Sequence, residues 1–148
     1  ALLSFERIFL GSPRQSQYAI KRLEDIALKL KLFEDSGFRD RFTTLKLDVA
    51  DLECNYQKFA SIVRRGDTLG PDVSVLKIWA TETFAKLSEL LIEVSYEKGG
   101  VVGPVDFAGS PIDILSQFYN ARPATIYGGS NEIQRNIVSK LVLGLPNR

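Results

Sequence analysis

The residues best suited to chemistry in this chain lie in one stretch near its C-terminal end: Ala124-Thr125-Ile126-Tyr127-Gly128-Gly129-Ser130-Asn131-Glu132-Ile133-Gln134-Arg135-Asn136. Two adjacent glycines let a backbone come close to a ligand, and the free amides of the helix that starts near Ser130 favour a polar or anionic group. Taken alone, the same pattern also describes an ordinary turn into a helix whose glycines only permit positive φ. The absence of histidine excludes Ser-His-Asp and Cys-His nucleophile systems within the chain. With Cys54 as the one cysteine, neither an intrachain disulfide nor a metal site of the zinc type is expected. Cys54 sits in a strongly helical stretch and is expected to pack buried or half-buried. Any chemistry must use carboxylates, amides, backbone groups or a bound cofactor.

The elements that would position these groups read as helices, with no sustained strand alternation. A first helix spans about Leu3 to Phe33, with Ala19, Leu23, Ile26, Leu30 and Phe33 along one face and a kink at Pro13. Ser36-Gly37 breaks the pattern. A second helix runs from roughly Arg39 to Arg65 on a seam of Leu45, Val49, Leu52, Tyr56, Phe59 and Val63, and Gly66 stops it. A third follows Gly70-Pro71-Asp72, with Leu76, Ala80, Thr83, Leu87, Leu90 and Val94 as its seam. Trp79 and Phe84 are expected to pack rather than bind a ring. Gly99-Gly100 and Gly103-Pro104 open a loop of about ten residues. Ser110-Pro111 reads as a cap and a first-turn proline, starting a short helix through about Asn120. The last helix buries Ile133, Ile137, Val138 and Leu141 and ends at Gly144 and Pro146. Together they describe an all-α, up-and-down four-helix bundle with an additional short helix.

At 148 residues the chain fits one domain. A net charge of +1, with basic and acidic residues interspersed, gives no basis for nucleic-acid binding. No apolar run approaches the roughly 18 to 20 residues of a membrane span and no signal peptide is visible, so a cytoplasmic location is expected. The chain begins at Ala1 inside an apolar, helix-like segment and contains no methionine, which suggests a piece of a longer protein.

The segment Ile126 to Asn136, continued by Ile137-Val138 and the ending Leu141-Val142-Leu143-Gly144-Leu145-Pro146, resembles the C-terminal signature of acyl-CoA dehydrogenases. Gly70-Pro71-Asp72 through Val75-Leu76-Lys77 to Leu87 and Leu91 resembles the third bundle helix of a divergent bacterial branch of that family. The resemblance makes residues 1–148 the C-terminal helical domain, with the N-terminal helical and middle β domains outside this chain. It implies FAD as cofactor, an acyl-CoA thioester as substrate, and an electron-transfer flavoprotein or similar acceptor. A homo- or hetero-oligomer, dimer or tetramer, is implied as well. The reaction would remove the α-proton with a carboxylate base while the β-hydrogen leaves as hydride to flavin.

In one group of the family the base directly follows the tyrosine of the C-terminal turn, a position held here by Gly128. In the group that includes isovaleryl- and long-chain-acyl-CoA dehydrogenases it lies on the first bundle helix before an arginine. Leu3-Ser4-Phe5-Glu6-Arg7 matches that context and makes Glu6 the base expected from the resemblance. Ser4, Phe5, Arg7, Gly128 and Gly129 are then expected at the substrate, and Ser130, Asn131 and Glu132 at FAD. Two departures stand out. The family's Arg-x-x-Phe-Gly segment has no match in Lys29 to Phe42, and its glutamine-led glycine loop is reduced to Gly99-Gly100-x-x-Gly103. An alternative role is therefore a non-catalytic partner subunit or helical assembly domain of a heteromeric dehydrogenase.

Overall fold

The computed structural model describes residues 2–107 and 109–146. The bundle is built around one helix, α4 (Val73–Val94), which packs against α1 (Leu2–Leu10), α2 (Arg14–Lys29), α3 (Ser36–Arg64), α5 (Leu115–Ala124) and α6 (Asn131–Ile137). Its predicted seam is buried throughout. A second stripe on α4, Ser74, Lys77, Thr81, Phe84, Ser88 and Leu91, is buried as well. Two inward stripes are what a central helix needs, because partners lie on more than one side.

The seam of α3 also faces inward: Leu45, Val49, Leu52 and Phe59 are buried, and Tyr56 and Val63 pack against the core partly buried. This helix begins earlier than the sequence suggests. The Asp35 carboxylate accepts the Phe38 amide at 2.6 Å and caps it, so Ser36 and Gly37 open the helix instead of breaking the pattern. The first predicted helix is two helices. The chain leaves α1 at Gly11, and α2 starts after Pro13, whose missing N–H costs nothing at a helix start. Lys31, at φ 57, ends the run before Phe33, and a single 3-10 turn over Leu32–Glu34 leads into α3.

Three local expectations are corrected. Ser110 and Pro111 do not start a helix; they belong to a strand. β1 (Pro104–Phe107) and β2 (Ser110–Asp113) form an antiparallel hairpin, with Val105 opposite Ile112 and Phe107 opposite Ser110. Phe107 and Ile112 enter the main apolar cluster beside Ile26, Phe84 and Leu91, and the Lys29 ammonium donates to Phe107 O and Ser110 Oγ, both at 2.6 Å. The short helix starts at Leu115, where Asp113 accepts from the Ser116 amide and hydroxyl. Cys54 is exposed rather than packed. In α6 the inward residues are Asn131 and Gln134, whereas Ile133 and Leu141 are exposed. The segment continues as a π-helical turn over Val138–Val142, with Ile137 and Val138 half-buried. Trp79 and Phe84 do pack, the first partly buried and the second fully. Among the described residues no helix is long and apolar enough to cross a membrane.

Candidate functional site

The Gly-Gly turn and the first helix, far apart in sequence, meet on one side of α4. Gly128 and Gly129 both adopt positive φ, 66° and 85°, which any side chain would strain. Space is restricted as well. A Cβ on Gly128 would run into Leu10 Cδ1 and would lie 3.5 Å from Glu6 Oε1. One on Gly129 would meet Gln134 Nε2 at 2.8 Å. The Glu6 carboxylate thus sits beside the Cα from which a side chain at position 128 would project. The two positions that the family pattern singles out, Gly128 in the turn and Glu6 on α1, thus lie side by side.

Glu6 is exposed on the surface this chain provides. Arg7 is half-buried, and its Nε is buried with no hydrogen-bond partner among the described residues. The side chains of Ser4 and Phe5 lie outside the described residues. What fixes α1 is Gly11. Its Cα faces Leu76 so closely that a Cβ there would stand 2.5 Å from Leu76 Cγ and 2.7 Å from Cδ2. Helix α1 therefore lies directly on α4 through a position where no side chain fits.

The turn itself is held from inside. The Asn131 amide donates to Thr125 O at 2.9 Å and closes the loop. Gln134, fully buried, donates from Nε2 to Gly128 O (3.0 Å) and Gly129 O (3.3 Å). The Lys77 ammonium, also fully buried, donates to Asn131 Oδ1 at 2.7 Å and Thr125 O at 3.1 Å. Asn131 Nδ2 donates in turn to Thr81 Oγ1 (3.0 Å) and Glu82 Oε1 (3.1 Å), and Arg135 pairs with Glu82 at 2.6 Å. Burial pushes the Lys77 ammonium below the usual lysine range, while the charges of Glu132 and Glu82 pull it back up.

Of the three residues expected at the cofactor, Ser130 is half-buried and Glu132 exposed, and both lie at the start of α6. Hydrogen bonds from the Glu132 amide and the Ser130 hydroxyl hold the Glu132 carboxyl below the ordinary range, with Arg135 and Lys77 adding to the effect. Asn131 is directed differently. Its amide group is spent on α4, so it supports the turn from beneath. Lys77, Leu10 and Gly11 lie outside the motif yet shape its surroundings, and Gln134 lies within it with its inward role unmarked. Lys77 carries a signal all the same: it is a charge on the second inward stripe of α4, four residues before Thr81 and seven before Phe84.

Next to Leu10 and Tyr127 opens a cleft of about 640 Å³ lined by Phe9, Pro13, Gln17, Tyr56 and Thr81 among others. Its size falls in the range of small-molecule sites, about 300–1,000 Å³. The arginines near the missing family segment are exposed and engaged with neighbouring groups of this chain. Arg39 donates to Phe33 O at 2.8 Å, and Arg41 grips Glu93 with two bonds of 2.6 and 2.7 Å.

The sequence model of the acyl-CoA dehydrogenase C-terminal domain matches residues 17–143. The chain belongs to the acyl-CoA dehydrogenase family. It is 73% identical over 147 residues to an acyl-CoA dehydrogenase IpdE1 of Mycolicibacterium smegmatis, a match covering 97% of this chain and 35% of that protein. To the acyl-CoA dehydrogenase IpdE1 of Mycobacterium tuberculosis it is 31% identical over 152 residues, covering 99% of this chain and 37% of the relative. The chain thus spans a little over a third of the length of the curated relatives it matches. Among solved structures, the Tcur3481-Tcur3483 steroid ACAD superposes with a TM-score of 0.80 at 23% identity, over 100% of this chain and 39% of that one. The ChsE4-ChsE5 complex from Mycobacterium tuberculosis gives a TM-score of 0.75 at 22% identity, covering 93% and 36%. These likenesses show the acyl-CoA dehydrogenase C-terminal fold.

Proposed function

We propose that the full protein is an FAD-dependent acyl-CoA dehydrogenase in which Glu6 takes the α-proton of the thioester. One observation carries the reading. The Glu6 carboxylate lies 3.5 Å from where a Cβ at Gly128 would stand, which supports a base supplied from α1 in place of one on the turn. The backbone of Gly128 and Gly129 presents a surface without side chains against which a thioester would lie, and Arg7, Ser4 and Phe5 belong to the same helical approach. The cleft beside Leu10 and Tyr127 is large enough to receive the acyl group. Glu6 is exposed on this chain alone, so excluding water from it falls to the domains that this chain does not include.

For the cofactor, Ser130 and Glu132 fit a polar edge of FAD at the start of α6, and Asn131 keeps them in place through its bonds to α4. FAD, when bound, would accept the β-hydride. The segment that meets the FAD diphosphate in the family has no match between Lys29 and Phe42, where Arg39 and Arg41 are taken up in surface bonds to Phe33 O and Glu93. That commitment supports a heteromeric assembly in which a second chain completes the cofactor site. The solved relatives that are named as two proteins together, one of them a steroid ACAD, support the same reading and point to a fused-ring acyl-CoA as the substrate class. Electron-transfer flavoprotein or a similar carrier would then reoxidise the flavin.

The test is to purify the full-length protein with its co-expressed partner and record the flavin spectrum. Anaerobic addition of a steroid-derived acyl-CoA should bleach the flavin band. A flavin-loaded preparation that no acyl-CoA bleaches would refute the reading.

A further inference from the structure

We propose that Lys77 is a positioning residue that fixes the spacing between the Glu6 carboxylate and the Gly128-Gly129 turn. It is the one charged side chain among the fully buried residues described, and it lies in the N-terminal part of α4, the helix on which the others pack. Removing an ammonium from water is costly unless its donors are satisfied. An apolar side chain of the same volume would pack there at less cost, so bundle stability does not explain a lysine. What the ammonium achieves is geometric. Its two bonds, to Thr125 O and Asn131 Oδ1, grip both ends of the loop that carries the glycines, and the Asn131-to-Thr125 backbone bond closes the same loop. The residue before it, Leu76, is the one on which α1 rests through Gly11. Consecutive residues of one helix thus hold the two halves of the site, Leu76 under α1 and Lys77 under the turn.

The proposal rests on the reading of Glu6 as the base, and its test separates the two. In the full-length, FAD-loaded protein, Lys77→Met keeps the length of the stem and removes the ammonium. Two measurements follow, both well below the variant's melting temperature: amide hydrogen exchange across residues 125–131, and the rate and substrate dependence of anaerobic flavin bleaching. Exchange in the turn should rise at least about tenfold as its local opening becomes easier. The limiting bleaching rate should fall by roughly 100-fold, as a shift of about 1 Å in a reacting group can cause, with the half-saturating acyl-CoA concentration changed less than about threefold. Unchanged exchange overturns the proposal, and so does faster exchange with an unaltered limiting rate. If Lys77→Met yields no folded holoprotein, Asn131→Ala cuts the 2.7 Å bond while leaving the lysine, and the same two readouts apply. Should wild-type bleaching prove independent of Glu6, the base reading fails, and the exchange data alone decide whether Lys77 holds the turn.

Discussion

Replacing Gly11 by alanine tests how α1 is seated, and two opposing effects make the sign informative. Gly11 does not lie in the left-handed region, so the backbone tolerates alanine there. By itself the exchange would stabilise the chain by about 0.4–1 kcal/mol through the unfolded state. Against this, the new methyl would stand 2.5 Å from Leu76 Cγ and 2.7 Å from Cδ2. Carbon atoms prefer separations of about 3.5–4.0 Å, so the overlap is near 1 Å. Leu76, in the first turn of α4, is 1% exposed and packed on all sides. Overpacking of this kind costs about 1–3 kcal/mol. The steric effect wins, and Gly11→Ala should lower the thermal midpoint of the full-length protein by a few degrees, at about 2–4 °C per kcal/mol for a domain of this size. Leu76→Ala alone should cost about 2–5 kcal/mol through the cavity it leaves. The double variant should be less destabilised than the sum by at least about 1 kcal/mol, because the new methyl enters that cavity. A stabilising Gly11→Ala, or strict additivity in the double variant, would refute the close contact between α1 and α4.

Gly128→Ala forces a side chain into positive φ at a cost of about 1–3 kcal/mol, and its methyl runs into Leu10 and stands in direct contact with the Glu6 carboxylate. Substrate-driven flavin bleaching should slow by more than tenfold even where the variant remains folded; an unaffected rate would separate Gly128 from Glu6. Stability should also depend on pH through Lys77. Its folded-state affinity for protons is lowered by burial, so the unfolded chain binds more protons between the depressed value and the usual lysine value of about 10.4. Across that alkaline window the wild type should gain stability relative to Lys77→Met as pH rises, and below it the difference should be flat. Denaturant unfolding of both proteins at a series of pH values checks this, and a falling difference contradicts the buried, desolvated lysine.

The bundle was legible because its signals are long. The seams of α3 and α4 repeat over five steps each, and a face of that length survives small errors in where a helix begins. The hairpin was not legible, since each strand has only four residues and Pro111 suits a helix start as well as an exposed strand. Its stability comes from groups distant in sequence, Phe107 and Ile112 on the main core and Lys29 bonding across it. The last helix misled for a related reason. Apolar residues normally face inward, but here Asn131 and Gln134 do, because Lys77 and the glycine carbonyls offer them partners that only the folded chain assembles. The site shows the same division. Gly128 and Gly129 announce themselves as a motif, whereas the approach of Glu6 to Gly128 depends on Gly11 meeting Leu76, a contact that no local pattern encodes.

The role of Glu6 is tested most directly by stopped-flow anaerobic reduction of the flavin in full-length Glu6→Gln, compared with wild type at saturating acyl-CoA. Glutamine keeps the shape of the side chain and its place beside Gly128 but cannot accept the α-proton. The reduction rate should fall by about 10²–10⁴-fold with flavin content and substrate affinity little changed. Reduction at the wild-type rate would contradict Glu6 as the base.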